Sequence, residues 1–159
     1  MRLMDFINTS AILLDLKAAS AREAVDEMVA ALVKCKALPE DQHRKVIDAI
    51  MRREKKGTTG FGNGVAIPHA KHEGVKKVVG TVARSVAGVD FSALDGQPVH
   101  LFFLLLSNAE MPEEHLKAME HIFRSIKNDN FRRFMGQAKT KEEVVDLLHE
   151  ADEELRERQ

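Results

Sequence analysis

The segment Gly60-Phe61-Gly62-Asn63-Gly64-Val65-Ala66-Ile67-Pro68-His69-Ala70 carries an imidazole to the end of a short apolar run, through a glycine-rich approach and a rigid proline. Neutral imidazole near pH 7 is both a base and a nucleophile, and its ordinary pKa of about 6.5 leaves a usable neutral fraction. An exposed, oriented His69 would have the properties of a phosphoryl acceptor. On spacing alone the segment fits equally well an ordinary surface loop followed by a polar residue. Other chemistries fit less well. The G-x-G-x-G run lacks the strand before it and the helix directly after it that a dinucleotide site needs, and Lys55-Lys56-Gly57-Thr58-Thr59 lacks the Walker spacing. Neither motif leads us to expect nucleotide binding. His69 and His72 are three apart, but zinc needs more ligands and the one cysteine, Cys35, falls in a helical pattern, so neither a metal nor a cofactor is expected.

These residues must be positioned by the elements around them. Ile12 to Leu16 reads as a first strand, and Ser20 with Glu23 as a capping box opening a helix with Val25, Met28, Val29, Leu32 and Val33 on one face. Cys35, near its end, is expected to pack. Pro39 suits the first turn of a second helix, buried through Val46, Ile47, Ile50 and Met51, with Gly57 as its stop. Residues 58–64 read as a loop whose glycines allow close backbone approach, Val65 to Ile67 as a strand ended by Pro68, and His69 as lying just past it. Val78 to Val86 and Val99 to Leu106 read as further strands, joined through a turn at Leu94-Asp95-Gly96-Gln97. The last strand is apolar on both faces, the mark of a strand buried within a sheet covered on both sides. Pro112 opens a helix with Leu116, Met119, Phe123 and Ile126 on one face, and Thr140 with Glu143 caps a final helix carrying Val144, Val145, Leu147 and Leu148. The expected architecture is α/β, a central mixed sheet flanked by helices on both faces in a three-layer sandwich.

Composition bounds the rest. A chain of 159 residues suits one domain, and 44% hydrophobic residues beside 31% charged ones exclude disorder. A net charge of −1 gives no global field for nucleic acid or an anionic membrane, so an anion must be held locally. The lone cysteine, the start at Met-Arg-Leu without an apolar leader, and the lack of a membrane-length apolar run point to the cytoplasm, with no direct membrane insertion.

Arg53-Glu54, the run Thr58 to His69, Leu94-Asp95-Gly96-Gln97-Pro98-Val99 and His115-Leu116-Lys117-Ala118 together resemble the enzyme IIA domain of fructose/mannitol type. This is the phosphocarrier domain of the bacterial phosphoenolpyruvate-dependent sugar phosphotransferase system, a group that includes the nitrogen-regulatory IIA proteins. The similarity runs from about Ile12 to Leu148. It implies a single type-2 IIA domain over residues 1–150; the charged residues of 151–159 read as a solvated helix end or a frayed tail. It further implies that HPr, or an HPr-like carrier, phosphorylates Nε2 of His69, with His115 and Arg53 completing the site, and that the group passes to a IIB component for carbohydrate uptake. The alternative is a nitrogen-type regulator whose phosphorylation state controls which partners it binds. A third reading, a binding module without phosphotransfer, accounts least well for the joint presence of Arg53, His69 and His115. The chain runs out soon after the matched region; a freestanding domain leans towards the regulatory reading. No sugar pocket is expected on such a domain.

The physics of that site can be argued separately. A phosphoryl group brings about −1.5 to −2 charges and needs donors already in place. Arg53 offers a permanent fork, and His115, in the first turn after Pro112, would sit where a helix start favours an anion. Arg53 has a rival role as a surface partner for an acid on its own helix. His121 lies on a different helical face from His115 and is read as structural or solvent-facing, and His43, His100 and His149 receive no role. Lys71 and His72 either tune the field at His69 or simply belong to a solvated turn. Phe61 either contacts partners or folds back onto the core.

Overall fold

The strand β5, Val99–Ser107, organises the molecule, a computed structural model that describes residues 1–157. Before it come the helices α1 (Leu3–Phe6), α2 (Ala21–Lys34) and α3 (His43–Lys55) and the strands β1 (Gly60–Gly62), β2 (Val65–Ala66), β3 (His69–Lys71) and β4 (Val79–Val89). After it come α4 (Pro112–Ile126), α5 (Asp129–Gln137) and α6 (Lys141–Glu157). Phe102, Leu104 and Leu106 of β5 point into a core with Met28 and Leu32 of α2 and Val46 and Ile50 of α3. Leu101, Phe103 and Leu105 point the other way, against Ile122, Phe131, Met135 and Leu148 of α4, α5 and α6. The two-sided apolar pattern of β5 thus gives a three-layer α/β sandwich.

The sheet is mixed. Antiparallel β4 runs along one edge of β5 from Val79↔Leu106 to Arg84↔Leu101, leaving the other edge to β2 and β3 in succession, both parallel to β5. Pro68 stands between them. It lacks an N–H for the ladder, but its carbonyl still accepts from the Leu105 N–H at 3.0 Å, so the sheet is interrupted there and not ended. His69 therefore opens a new strand, paired with Leu105, where the sequence predicts a position beyond the last one.

Four more expectations need correction. Residues 60–64 form a hairpin and not a loop: Asn63 and Gly64 take φ of 58° and 74°, the two-residue turn that an Asn-Gly pair favours, and β1 pairs antiparallel with β2. The close approach expected of its glycines is present at Gly60, where a Cβ would come within 2.9 Å of Ala93. Ile12 to Leu16 form no strand. A 3-10 turn at Thr9–Ala11, capped by Asn8, takes up the chain beforehand, and only single bridges such as Leu13↔Ala83 reach β4. On α4 the core-facing row is His115, Ala118, Ile122 and Ser125, joined by Ile126. Small residues let this helix approach the sheet, while Leu116 is exposed and Met119 and Phe123 pack on the core only from its margin.

The fourth concerns the charged end. α6 continues through Glu157, and Asp152 is only 6% exposed, its carboxylate accepting from the N–H groups of Leu3 at 2.7 Å and Met4 at 3.1 Å. The stretch predicted as a helix end or tail thus contains the clamp for the free N–H groups that start α1; positions 158 and 159 lie outside the described residues. Hydrogen bonds to a charged group contribute about 1.5–3 kcal/mol each, and removing the acceptor strands two donors. Asp152→Ala should therefore cost about 3 kcal/mol in urea unfolding, with Asp152→Asn losing roughly half as much. A loss under about 0.5 kcal/mol for Asp152→Ala would mean that α1 is held by packing alone.

Candidate functional site

The site begins at the end of α3. The half-buried Glu54 carboxylate accepts from the Thr59 N–H at 3.1 Å and from the Thr59 hydroxyl, fastening the helix end to the buried start of β1. The Thr59 carbonyl accepts from the Ile67 N–H at 3.1 Å, and the Ile67 carbonyl is 2.8 Å from Nδ1 of His69. A chain of bonds thus runs from α3 to the imidazole. Burial pushes the Glu54 carboxyl above the usual carboxylate range, opposed by the Thr59 bonds and the neighbouring Arg53 charge. The turn at 94–97 braces the hairpin from outside, where Asp95 accepts from the Asn63 N–H at 3.2 Å.

A carbonyl only accepts, so Nδ1 of His69 carries the ring proton and the lone pair of the neutral ring lies on Nε2. The ring is half-buried, and burial lowers its pKa below the ordinary value. The bond to Ile67 opposes that shift, while the charges of Arg53 and Lys71 reinforce it.

His115 lies beside it, ring centroids 5.5 Å apart and planes inclined at 49°. The parallel register explains the meeting, since Ser107 pairs with Lys71 at the carboxyl end of β5 and its hydroxyl lies 2.5 Å from Nδ1 of His115. His115 is 7% exposed, and burial, then the neighbouring His69 and Lys71, lower its pKa to about 4.

Both rings line a cleft of about 840 Å³, together with Arg52, Arg53, Lys56, Lys71 and the apolar Leu116, Met119 and Phe123. The structure therefore brings His69, His115 and Arg53 together. Arg53 donates from Nη1 to the Gly57 carbonyl at 2.9 Å and, among the described residues, makes none of the ion pairs on its own helix that its rival role required. Arg52 and Lys56 were not singled out from the sequence, although Ala49, Arg52, Arg53 and Lys56 follow the i, i+3, i+4, i+7 spacing of one helix face. Ser107 was hidden as well, a short hydroxyl at the end of an apolar strand, and Thr59, though within the Thr58 to His69 run, received no role of its own.

The remaining candidates fall elsewhere. His43 bonds to Asp26 at 2.7 Å, His100 donates to the Ser85 carbonyl at 2.8 Å, and His72 accepts from the Gly74 N–H at 3.0 Å within its turn. His121 keeps Nδ1 buried without a hydrogen-bond partner, and burial lowers its pKa. Cys35 packs at the end of α2, its thiol 3.4 Å from the Leu32 carbonyl. Phe61 is 37% exposed and sets the edge of its ring against Phe123, centroids 5.0 Å apart, so it folds back onto the α4 surface only in part. Among the described residues, no group of three or more His, Cys, Asp or Glu side chains is placed to hold a metal ion, and no helix is long and apolar enough to cross a membrane.

Chemically, the cleft offers an unprotonated ring nitrogen on a fixed backbone, a second neutral ring beside it and several cations, outside the carboxyl ends of parallel strands where open α/β sheets hold their ligands. The chain is similar to known proteins along most of its length. The chain is 35% identical over 148 residues to a nitrogen regulatory protein of Bradyrhizobium diazoefficiens, covering 93% of this chain and 95% of that one. It is 31% identical over 152 residues to the PTS system fructose-specific EIIABC component of Bacillus subtilis, spanning 96% of this chain but only 24% of that relative. The crystal structure of nitrogen regulatory protein IIA-Ntr from Neisseria meningitidis superimposes with a TM-score of 0.82 at 33% identity, over 91% of this chain and 97% of that one. Residues 5–151 match the sequence model of the phosphoenolpyruvate-dependent sugar phosphotransferase system, EIIA 2, and the chain belongs to that family of phosphotransferase components.

Proposed function

We propose that Nε2 of His69 accepts a phosphoryl group from the phosphohistidine of an HPr-like carrier and passes it on, in the cytoplasm, to a IIB component. The observation that carries this reading is the Nδ1–H bond of His69 to the Ile67 carbonyl, which leaves Nε2 as the nucleophile in a cleft lined by cations. In the transfer the donor's N–P bond breaks as a bond to Nε2 forms. The Ile67 carbonyl supports the positive charge that the ring takes on, and no proton has to move at the acceptor. Transfer through a loose transition state spreads charge over the equatorial oxygens, so the protein's task is alignment and electrostatic support. Arg53 supplies a guanidinium. His115 supplies an Nε2–H if the Ser107 hydroxyl donates to its Nδ1, which suits a buried neutral ring.

A second reading has its own support. The nitrogen regulatory relative is 35% identical over 148 residues, and the structure of another protein of that name superimposes with a TM-score of 0.82. In a regulator the same chemistry at His69 would set which partner is bound. Onward transfer separates the two: rapid loss of phosphate to a purified sugar-specific IIB protein marks a carrier, and retention in the presence of such proteins marks a regulator.

Incubation with phosphoenolpyruvate, enzyme I and HPr should give an acid-labile phosphate on this chain, and His69→Ala should abolish it. Labelling that persists in that variant overturns the site. Arg53→Ala and His115→Ala should each slow transfer about 10²–10³-fold, the cost of removing one preorganised donor, with circular dichroism unchanged. Unaltered rates would remove both from the mechanism.

The two rings also predict a pH response. Ring NMR signals should show His115 neutral down to about pH 5, with a midpoint near 4, and His69 titrating below its ordinary value. Both rings are lowered in the folded chain, so the unfolded chain binds protons first and stability falls as pH drops from about 6.5 towards 4. His115 alone accounts for up to about 3 kcal/mol of that loss. A His115 midpoint near 6.5 would show the ring to be solvated.

A further inference from the structure

A second concavity, of about 660 Å³, opens between the end of α2 and the connection from β3 to β4, and shares no lining residue with the His69 cleft. Its apolar lining comes from Val33, Leu38 and Pro39. Its charge comes from Lys34 and Lys36 on one side and Lys76 and Lys77 on the other, against the single carboxylate of Glu40. The chain as a whole carries −1, so this is a local concentration of positive charge.

The helix end accounts for part of the cluster only. Lys34, in the last turn of α2, faces the negative end of the helix dipole, where a cation is favourable. Lys76 and Lys77 belong to another segment and have no such reason to be there. Lys36 has a reason not to be. It closes α2 in the left-handed conformation, φ 64°, donating to the Val33 carbonyl at 3.0 Å while Ala37 donates to Leu32 at 2.9 Å. That pair of bonds usually has glycine in the left-handed position, because a side chain there is strained. The same bonds occupy the Leu32 and Val33 carbonyls near the end of α2, which leaves fewer bare oxygens to face an anion there. Among the described residues, none of the four lysines takes part in an ion pair.

We propose that this concavity binds a small molecule carrying two or more phosphates, with the lysines neutralising the phosphate charge and the Val33, Leu38 and Pro39 surface receiving any apolar part. Lysine serves as a point-charge partner for phosphate, and the volume lies within the range of small-molecule sites. Neither glycine motif considered in the sequence takes part, because the cations arrive from two separate segments. The site is independent of the phosphotransfer reading.

The test is a 1H–15N NMR titration of the full chain with ADP and, separately, with inorganic pyrophosphate. Saturable shifts are expected at residues 33–40 and 74–77 with a Kd below about 1 mM, weakening as salt rises from about 50 to 300 mM. The double variant Lys36→Ala/Lys76→Ala should weaken binding at least about tenfold while His69 still takes up phosphate at the unaltered rate. Tighter binding of ADP than of pyrophosphate assigns the apolar lining to the nucleoside; equal binding assigns the ligand by its phosphates alone. No saturable shift at about 10 mM ligand, shifts confined to the His69 cleft, or undiminished binding by the double variant overturns the proposal.

Discussion

The constraint on which the site depends is the bond from Nδ1–H of His69 to the Ile67 carbonyl, two residues back across Pro68. It fixes the tautomer and the ring orientation together, and it exists only because Pro68 breaks the strand at that point. An uninterrupted strand would give the Ile67 carbonyl to its neighbour in the ladder and turn alternate side chains to opposite faces. With the break, β2 and β3 both stay on β5, the carbonyl is left for the ring, and the imidazole stands at the edge of the cleft.

That arrangement requires rigidity behind it, which the glycine hairpin alone does not supply. Gly60 and Gly64 permit the close approach and the turn, but glycine loses more freedom on folding than any other residue. The hairpin is pinned at three points instead: Glu54 on Thr59, Asp95 on Asn63, and the Leu94 N–H on the Gly60 carbonyl. A half-buried carboxylate whose pKa is raised by burial stands against the gain of holding two donors of one residue. The strand β5 does the equivalent on the far side, placing Ser107 against His115 by the same register that places His69 at Leu105.

Much of this was legible in the residues. The two-sided apolar run of β5 specified the sandwich, and the proline before His69 marked a break in the sheet. The likeness of the Thr58–His69 run to its family tied Arg53 and His115 to the same place. What was lost followed from side chains whose surroundings decide their role. The Leu116, Met119 and Phe123 row has the periodicity of a core face, yet α4 buries His115, Ala118 and Ser125, because small residues let a helix lie close to a sheet. Asp152 sits among charges that read as solvated, and only the distant start of α1 turns it into a clamp. The Asn63-Gly64 pair carried a hairpin signal that the surrounding glycines masked.

The electrostatics of the cleft suit a group that must be taken and given up. Cations from α3 and from Lys71 line it, which favours the arriving anion. The ring nearest to His69 contributes no charge: with a pKa near 4, His115 enters as a neutral donor or acceptor and not as a third fixed cation. A permanently charged group in that buried place would deepen the well for the phosphoryl group and hold it back from the next acceptor, because charges interact far more strongly away from water. On the proposed reading, neutral His115 would steady the phosphoryl oxygens through geometry, while the stronger charges stay with the arginine and lysine side chains of the cleft. A carrier needs donor and acceptor affinities that nearly balance, and placing the neutral partner closest to the reacting nitrogen is a physical way of keeping them so.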